Sequence, residues 1–261
     1  MSGAITRTLA IVRRELGSYF HSPVACAVLA VFLVVSGYFF YSWVGYYSLV
    51  SAQALQKQLP DPHLNVVEGI VRPFLSNVAV ILLFFLPMLS MRLFAEELKT
   101  GTFELLFSYP VRDAEAVLGK FLAALLLLAL LLTGVAACAV VTAAVATPEP
   151  GAFGAGLFGL LLIGSAFLAL GIFASSLTAN QIVAAVVTFG VLVVFLLLEW
   201  VGQFAGPRTA GVLGHLSLMQ HFGDFAKGVV DAKDVVYYLG FAAFFLFASV
   251  RAVGWRRERG L

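Results

Sequence analysis

Charge is what this sequence has least of. Only 11% of its 261 residues are Asp, Glu, Lys or Arg, whereas 61% are hydrophobic and the mean hydropathy is +1.00. An ordinary soluble domain is about 25% charged, and a globule so poor in charge could not cover its own surface in water. The chain calls for a bilayer as solvent, which excludes most soluble enzymes. Its net charge of +2 supplies no field to steer nucleic acid, so no nucleic-acid partner is expected. Cysteine is almost absent as well. Cys26 and Cys138 both fall in apolar runs and are expected to be buried packing residues, not a disulfide or a metal pair.

The missing motifs are equally informative. No G-x-x-x-x-G-K-[ST] pattern occurs, so this chain is not expected to hydrolyse ATP. The apolar stretches 24–45, 74–91, 121–146, 152–174, 182–198 and 235–250 contain no Asp, Glu, Lys, Arg or His, the residues on which proton relays rest. Energy for any transport is therefore expected to come from another chain. His215 and His221 would lie roughly 240° apart around a helix and read as interfacial histidines in a wet loop, while His21 and His63 fall on opposite sides of the membrane. No metal or cofactor is expected here. An intramembrane hydrolase is also excluded: Glu96-Glu97 is followed by Gly101 where a metalloprotease E-E-x-x-x-R needs arginine, and Gly164-Ser165 lacks the next glycine of a serine motif.

What is present is a set of runs long enough to cross a membrane. A spanning helix needs about 20 apolar residues, and six runs qualify: 24–45, 74–91, 121–146, 152–174, 182–200 and 235–250. The first is too long for a signal peptide's apolar core and is read as an uncleaved span. Tyr237 and Tyr238 suit an interface at the start of the last. The fold class is thus all-α, a polytopic membrane protein with six transmembrane helices. With both termini cytoplasmic, most of the 16 basic residues fall inside, including Arg7, Arg13, Arg14, Arg92, Lys99, Arg112, Lys120, Arg251, Arg256, Arg257 and Arg259. The positive-inside rule favours that topology.

Residues 1–22 read as an amphipathic helix lying on the membrane, with Ile5, Leu9, Val12, Leu16 and Tyr19 on its apolar face and Arg7, Arg14 and Ser18 opposite. A six-span body is expected over 23–251, with outside loops at 46–73 and 201–234, and a basic cytoplasmic tail over 252–261. In span four, Ala152-x-x-x-Gly156 and Ala155-x-x-x-Gly159 fit close helix packing, and Glu199-Trp200 reads as an interfacial anchor.

Residues 92–120 form the polar segment of consequence. Span two is expected to run on through Phe94 and Leu98 and stop at Gly101, a C-terminal cap. Thr102 can cap a second short helix with Glu104 near its positive end, Pro110 ends it, and Asp113 can cap the helix into span three. That middle helix, 103–109, would expose Phe103, Leu105, Leu106 and Phe107, an apolar patch that needs a partner.

The run Phe94-Ala95-Glu96-Glu97-Leu98-Lys99-Thr100-Gly101-Thr102-Phe103-Glu104-Leu105-Leu106, then Pro110-Val111 and Gly119-Lys120, resembles the loop of ABC type-2 (exporter-class) permeases, closest to the gliding-motility and copper-enzyme-maturation branch. The stretch from Gln220-His221-Phe222-Gly223-Asp224 to Asp231 is similar to the segment before the last span in that branch. Phe107-Ser108-Tyr109 departs from the small residues that relatives carry there.

The resemblance implies a permease subunit that pairs with a second copy or homologue and binds two separate ABC ATPase subunits, which carry ATP and Mg. It assigns the coupling element to 92–120, with Glu96, Glu97, Gly101, Thr102, Glu104 and Pro110 matching the pattern. Phe103, Leu106 and Phe107 are candidate docking residues, and Gly101 and Pro110 shape the loop. The plainer reading of Glu96 and Glu97 is solvated charge, or pairing with Arg92, Lys99 and Arg112. Two functions follow from the resemblance. One is export of a substrate across a bacterial cytoplasmic (inner) membrane. The other is transmission of ATPase-driven movement to an extracytoplasmic partner protein.

Overall fold

The computed structural model describes residues 2–57, 65–102, 112–145, 150–204 and 206–259. Among the described residues there are helices and turns but no strand, and six helical stretches are long and apolar enough to cross a membrane. They match the six runs found in the sequence, and each begins ahead of its apolar run. The chain is therefore an all-α polytopic membrane protein.

The elements are α1 (Ser2–His21), α2 (Pro23–Lys57), a π-helical turn (Val67–Val71), α3 (Arg72–Ser90), α4 (Arg92–Thr100), α5 (Asp113–Val145), α6 (Pro150–Leu177), α7 (Gln181–Phe204), α8 (Pro207–Leu216), α9 (Leu218–Ala226) and α10 (Ala232–Arg259). α2 continues past its apolar run to Lys57, and α10 carries the basic C-terminal residues on the same helix through Arg259. Pro60-Asp61-Pro62 and 147–149 lie outside the described residues.

Two helices form the axis of the bundle. α3 buries Phe74, Leu75, Val78, Leu82 and Leu86, and α6 buries Leu160, Ile163, Ala166 and Leu168. Around them α2, α7 and α10 each bury one narrow seam and leave a broad apolar surface outward. On α7 the seam is Ala184, Thr188 and Leu192, one residue per turn, while Ile182, Val186, Val194 and Val201 are exposed. That pattern suits helices bathed in lipid. Aromatic pairs join the outer helices to their neighbours, with Phe32–Phe85 at 5.6 Å and Phe40–Phe74 at 5.3 Å linking α2 to α3, and Phe195–Phe241 at 5.3 Å linking α7 to α10.

The small residues of α6 do what their spacing predicts. A methyl group on Gly156 would meet Leu75 of α3, and one on Gly159 would lie 2.5 Å from Cβ of Phe225 on α9. The stripe is thus the surface on which α3 and α9 come close.

The cysteines do not follow expectation. α2 buries Ala25, Val28 and Phe32, so Cys26 sits on the opposite, exposed side, and Cys138 is only half-buried. An apolar run around a cysteine places it in the membrane, not in the protein core.

The α1 face also differs from the one read off the sequence. Val12 and Tyr19 are buried together with Ile11, but Ile5 is 61% and Leu9 is 59% exposed. The helix is rolled so that Arg7 and Glu15 reach α5. The roll turns Ile11, Val12 and Tyr19 inward and brings Arg7 to Glu115 and Glu15 to Lys120 of α5.

Candidate coupling site at one end of the bundle

Both termini lie at the same end of the bundle, where α1, α4, the start of α5 and the ends of α6 and α10 converge. Arg7 meets Glu115 through two hydrogen bonds of 2.8 and 2.9 Å, Arg257 of α10 meets Asp113 at 3.2 Å, and Arg256 donates to the Leu177 carbonyl at 2.6 Å.

The α3–α4 junction carries the polar segment away from span two. Pro87 removes one backbone donor from the last turns of α3, and a brief turn at Met91 separates the helices. Ser175, from the end of α6, fills the irregularity. Its hydroxyl donates to the Met91 carbonyl at 2.8 Å and accepts from the Phe94 and Ala95 amides at 3.0 Å each. α4 then runs to Thr100 and ends at Gly101, whose φ of 70° is left-handed and suits a residue without Cβ. The stop expected at Gly101 is where the helix stops.

α5 starts differently from expectation. Asp113 is the first helical residue, not the cap, and it is Glu115 at the third position whose carboxylate reaches back to accept from the Arg112 amide at 3.2 Å, as in half of a capping box. Asp113 is drawn away to Arg257.

Lys120 is the centre of this end. Its side chain is 1% exposed, yet it carries a charge, so it must be compensated. Nζ lies 3.1 Å from Glu15 of α1, 3.0 Å from Glu97 of α4 and 2.5 Å from the Leu93 carbonyl, over the Phe94 ring. Arg14 closes the arrangement, 2.7 Å from Glu15 and 2.6 Å from Glu97. Two cations and two carboxylates thus alternate around a ring. Burial works against the charge on Glu15, but Lys120 and Arg14 outweigh it and hold its carboxyl below the usual carboxylate range. Nearby, Arg92 stacks over Tyr19 at 4.2 Å while the Tyr19 hydroxyl donates to the Leu89 carbonyl at 3.1 Å. A cleft of about 380 Å³ opens beside the ring, lined by Arg14, Ser18, Arg92, Glu96 and Thr100.

The ring separates the two glutamates that sequence treated alike. Glu97 pairs with Arg14 and Lys120, not with Arg92, Lys99 or Arg112, and Glu96 is exposed at the cleft. Thr102 lies past the helix end, its hydroxyl 2.9 Å from that of Thr100. Phe103, Glu104, Leu105, Leu106, Phe107 and Pro110 lie outside the described residues. Sequence reasoning missed Glu15 and Ser175. Glu15 could have been noticed as an acid in an otherwise basic amphipathic helix, whereas nothing local marks Ser175.

The opposite end carries α8 and α9, fastened to the first turns of α10. Tyr238, fully buried, donates to the Leu218 carbonyl at 2.5 Å, and Tyr237 donates to the Leu216 carbonyl at 2.8 Å. The two tyrosines at the start of the last span thereby tie down the segment before it. His221 is far from a wet loop residue. Its side chain is 10% exposed, its Nδ1 is 2.6 Å from buried Asp234, its Nε2 is 3.1 Å from the His215 carbonyl, and its ring stacks on Tyr237 at 4.0 Å. Among the described residues no three His, Cys, Asp or Glu side chains group as metal ligands.

Six spanning helices, two of which form the α3–α6 axis, and a helix-stop-helix segment at the end shared by α1 and the last turns of α10 define a polytopic helical membrane protein. The profile of the ABC-2 family transporter proteins matches residues 9–222, and the chain belongs to that family. It is accordingly a membrane-spanning permease component of an ABC transporter, a multi-pass protein for which the family implies an ABC ATPase partner and pairing of permeases. No curated protein matches the chain.

Proposed function

We propose that this chain is the membrane subunit of an ATP-driven exporter in a bacterial cytoplasmic membrane, with a separate ATPase docked on residues 92–120. The observation that carries the reading is the bracing of that segment. α4 and the start of α5 are tied to α1, α6 and α10 by Ser175, Lys120, Glu115 and Arg257, so a push on either of them reaches three other helices. ATP and Mg belong to the partner, and this chain is non-catalytic. The exposed Ile5–Leu9 side of α1 fits a helix lying on the inner membrane surface with both termini cytoplasmic. Phe103, Leu106 and Phe107 supply the docking side chains, and Glu96 and Thr102 add polar contacts to the ATPase.

The experiment is co-purification with a candidate ATPase, comparing wild type with Phe103→Asp plus Leu106→Asp. Capture by wild type and loss in a variant that still inserts in the membrane is expected. Equal capture of both would move the dock away from 103–109, and no capture by folded wild type in any nucleotide state would sink the reading.

One observation favours a second function, transmission of movement to an extracytoplasmic partner. The α8–α9 pair is pinned to α10 through His221, Tyr237 and Tyr238 and so presents a firm outer surface. Substrate-stimulated ATPase activity supports export; stable capture of an extracytoplasmic protein without transport supports the second.

A further inference from the structure

Arg14, Glu15, Glu97 and Lys120 sit on three different helices. Lys120 comes from α5, Glu97 from α4, and Arg14 and Glu15 from α1. The residue before the lysine prepares the site. A Cβ on Gly119 would lie 2.8 Å from Ile11 Cγ2 and 3.3 Å from the Thr8 carbonyl, so only glycine lets α1 come this close to α5. One turn earlier on α5, Glu115 holds Arg7. Glu115, Gly119 and Lys120 therefore form a track on α5 that fixes α1 at three successive points, and only the Lys120 point also includes α4.

Adhesion alone does not call for such a ring, because well-packed apolar side chains join helices at least as stably as a buried ion network. What the ring adds is direction. Each carboxylate sees a cation from a different helix, so sliding or rolling α1 against α4 by one residue would break Lys120–Glu15 and Arg14–Glu97 together and leave the buried lysine one carboxylate instead of two. The arrangement has one low-energy register.

We propose that Lys120 is a positioning residue for energy coupling: it locks α1 to α4 so that both move as one body when the ATPase displaces the 92–120 segment. The inference rests on the reading of that segment as the ATPase dock. α1 then acts as a lever on the membrane surface, with its exposed Ile5 and Leu9 in the lipid and its buried Val12 and Tyr19 against the bundle.

The test uses the full chain in lipid nanodiscs, alone and with its ATPase, with Cys26 and Cys138 replaced by alanine. Exposed Arg13 and Lys99 are changed to spin-labelled cysteines to report the α1–α4 distance. Wild type should give one narrow distance that does not alter between nucleotide-free and ATP-bound complexes. Lys120→Met should broaden it and lower substrate-stimulated ATPase activity at least tenfold, and Lys120→Arg should restore both. Glu15→Gln, which leaves Lys120 with Glu97, should give an intermediate breadth and covers the case in which Lys120→Met fails to fold. A narrow distance in Lys120→Met, or a broad one with undiminished stimulation, overturns the proposal. If wild type captures no ATPase, the docking reading falls and the coupling half of the proposal with it, whereas the distance in the permease alone still decides whether Lys120 pins α1.

Discussion

Single side chains at the α3–α4 junction carry more than their size suggests. Ser175 serves two amides and one carbonyl with one hydroxyl. Ser175→Ala leaves the Phe94 and Ala95 amides of a buried stretch without that acceptor, and an unsatisfied buried donor costs about 1–3 kcal/mol. The expected result is a lower midpoint of thermal unfolding in detergent, with Ser175→Thr closer to wild type. Glu15 gives the matching pH dependence. Its folded carboxyl ionises below the ordinary value of 4.5, so its contribution is complete above that value and is lost as the pH falls further through the folded value. Hydrogen exchange along α1 should stay slow from pH 7 down to about 5, after correction for the intrinsic rate, and quicken in more acid solution; Glu15→Gln should abolish the change. Neither residue could be assigned from sequence, because each acts on a helix distant in the chain: Glu15 is 105 residues from Lys120, and Ser175 is 84 from Met91.

Whole elements were easier to read than their faces. The spans, the stop at Gly101 and the small-residue stripe of α6 each follow from local chemistry: apolar length, a left-handed cap, and close backbone approach. The α1 roll does not, since Ile5 and Leu9 carry the right period and yet face outward. In a membrane an apolar stripe has two acceptable neighbours, lipid and protein, and periodicity alone cannot choose between them. The α8–α9 pair shows the same limit in polar form, where tyrosines typical of an interface became hydrogen-bond donors to a neighbouring turn. Tyr238→Phe removes the donor to Leu218 while keeping the ring, and should cost about 0.5–1.5 kcal/mol. The proteolytic susceptibility of the 206–231 region should rise accordingly. His221→Ala should raise it further, because Asp234 would then lose its partner while fully buried.

At the scale of the whole molecule, the bundle is ordered by how much of each helix touches protein. α3 and α6 are mostly buried, while α2, α7 and α10 show lipid most of their surface. Lipid tails are as apolar as leucine, so truncating an outward side chain does not forfeit the transfer energy that water would impose. Truncating an inward one still leaves a cavity and lost contacts. Leu168→Ala on α6, fully buried, should therefore cost about 2 kcal/mol or more, whereas Val194→Ala on α7, 59% exposed, should stay within about 0.5 kcal/mol. Reversible unfolding in mixed detergent and denaturant, done with the isolated chain, measures both. Equal costs would mean that α7 is packed against protein even in the single chain. The same pair then reports on pairing of permeases: if a second copy covers α7 in the assembled transporter, Val194→Ala leaves the single chain unchanged and weakens dimer formation, seen as a shift of the cross-linking curve to higher protein-to-lipid ratio. An unshifted curve would assign the second copy to another face and leave α7 to the lipid.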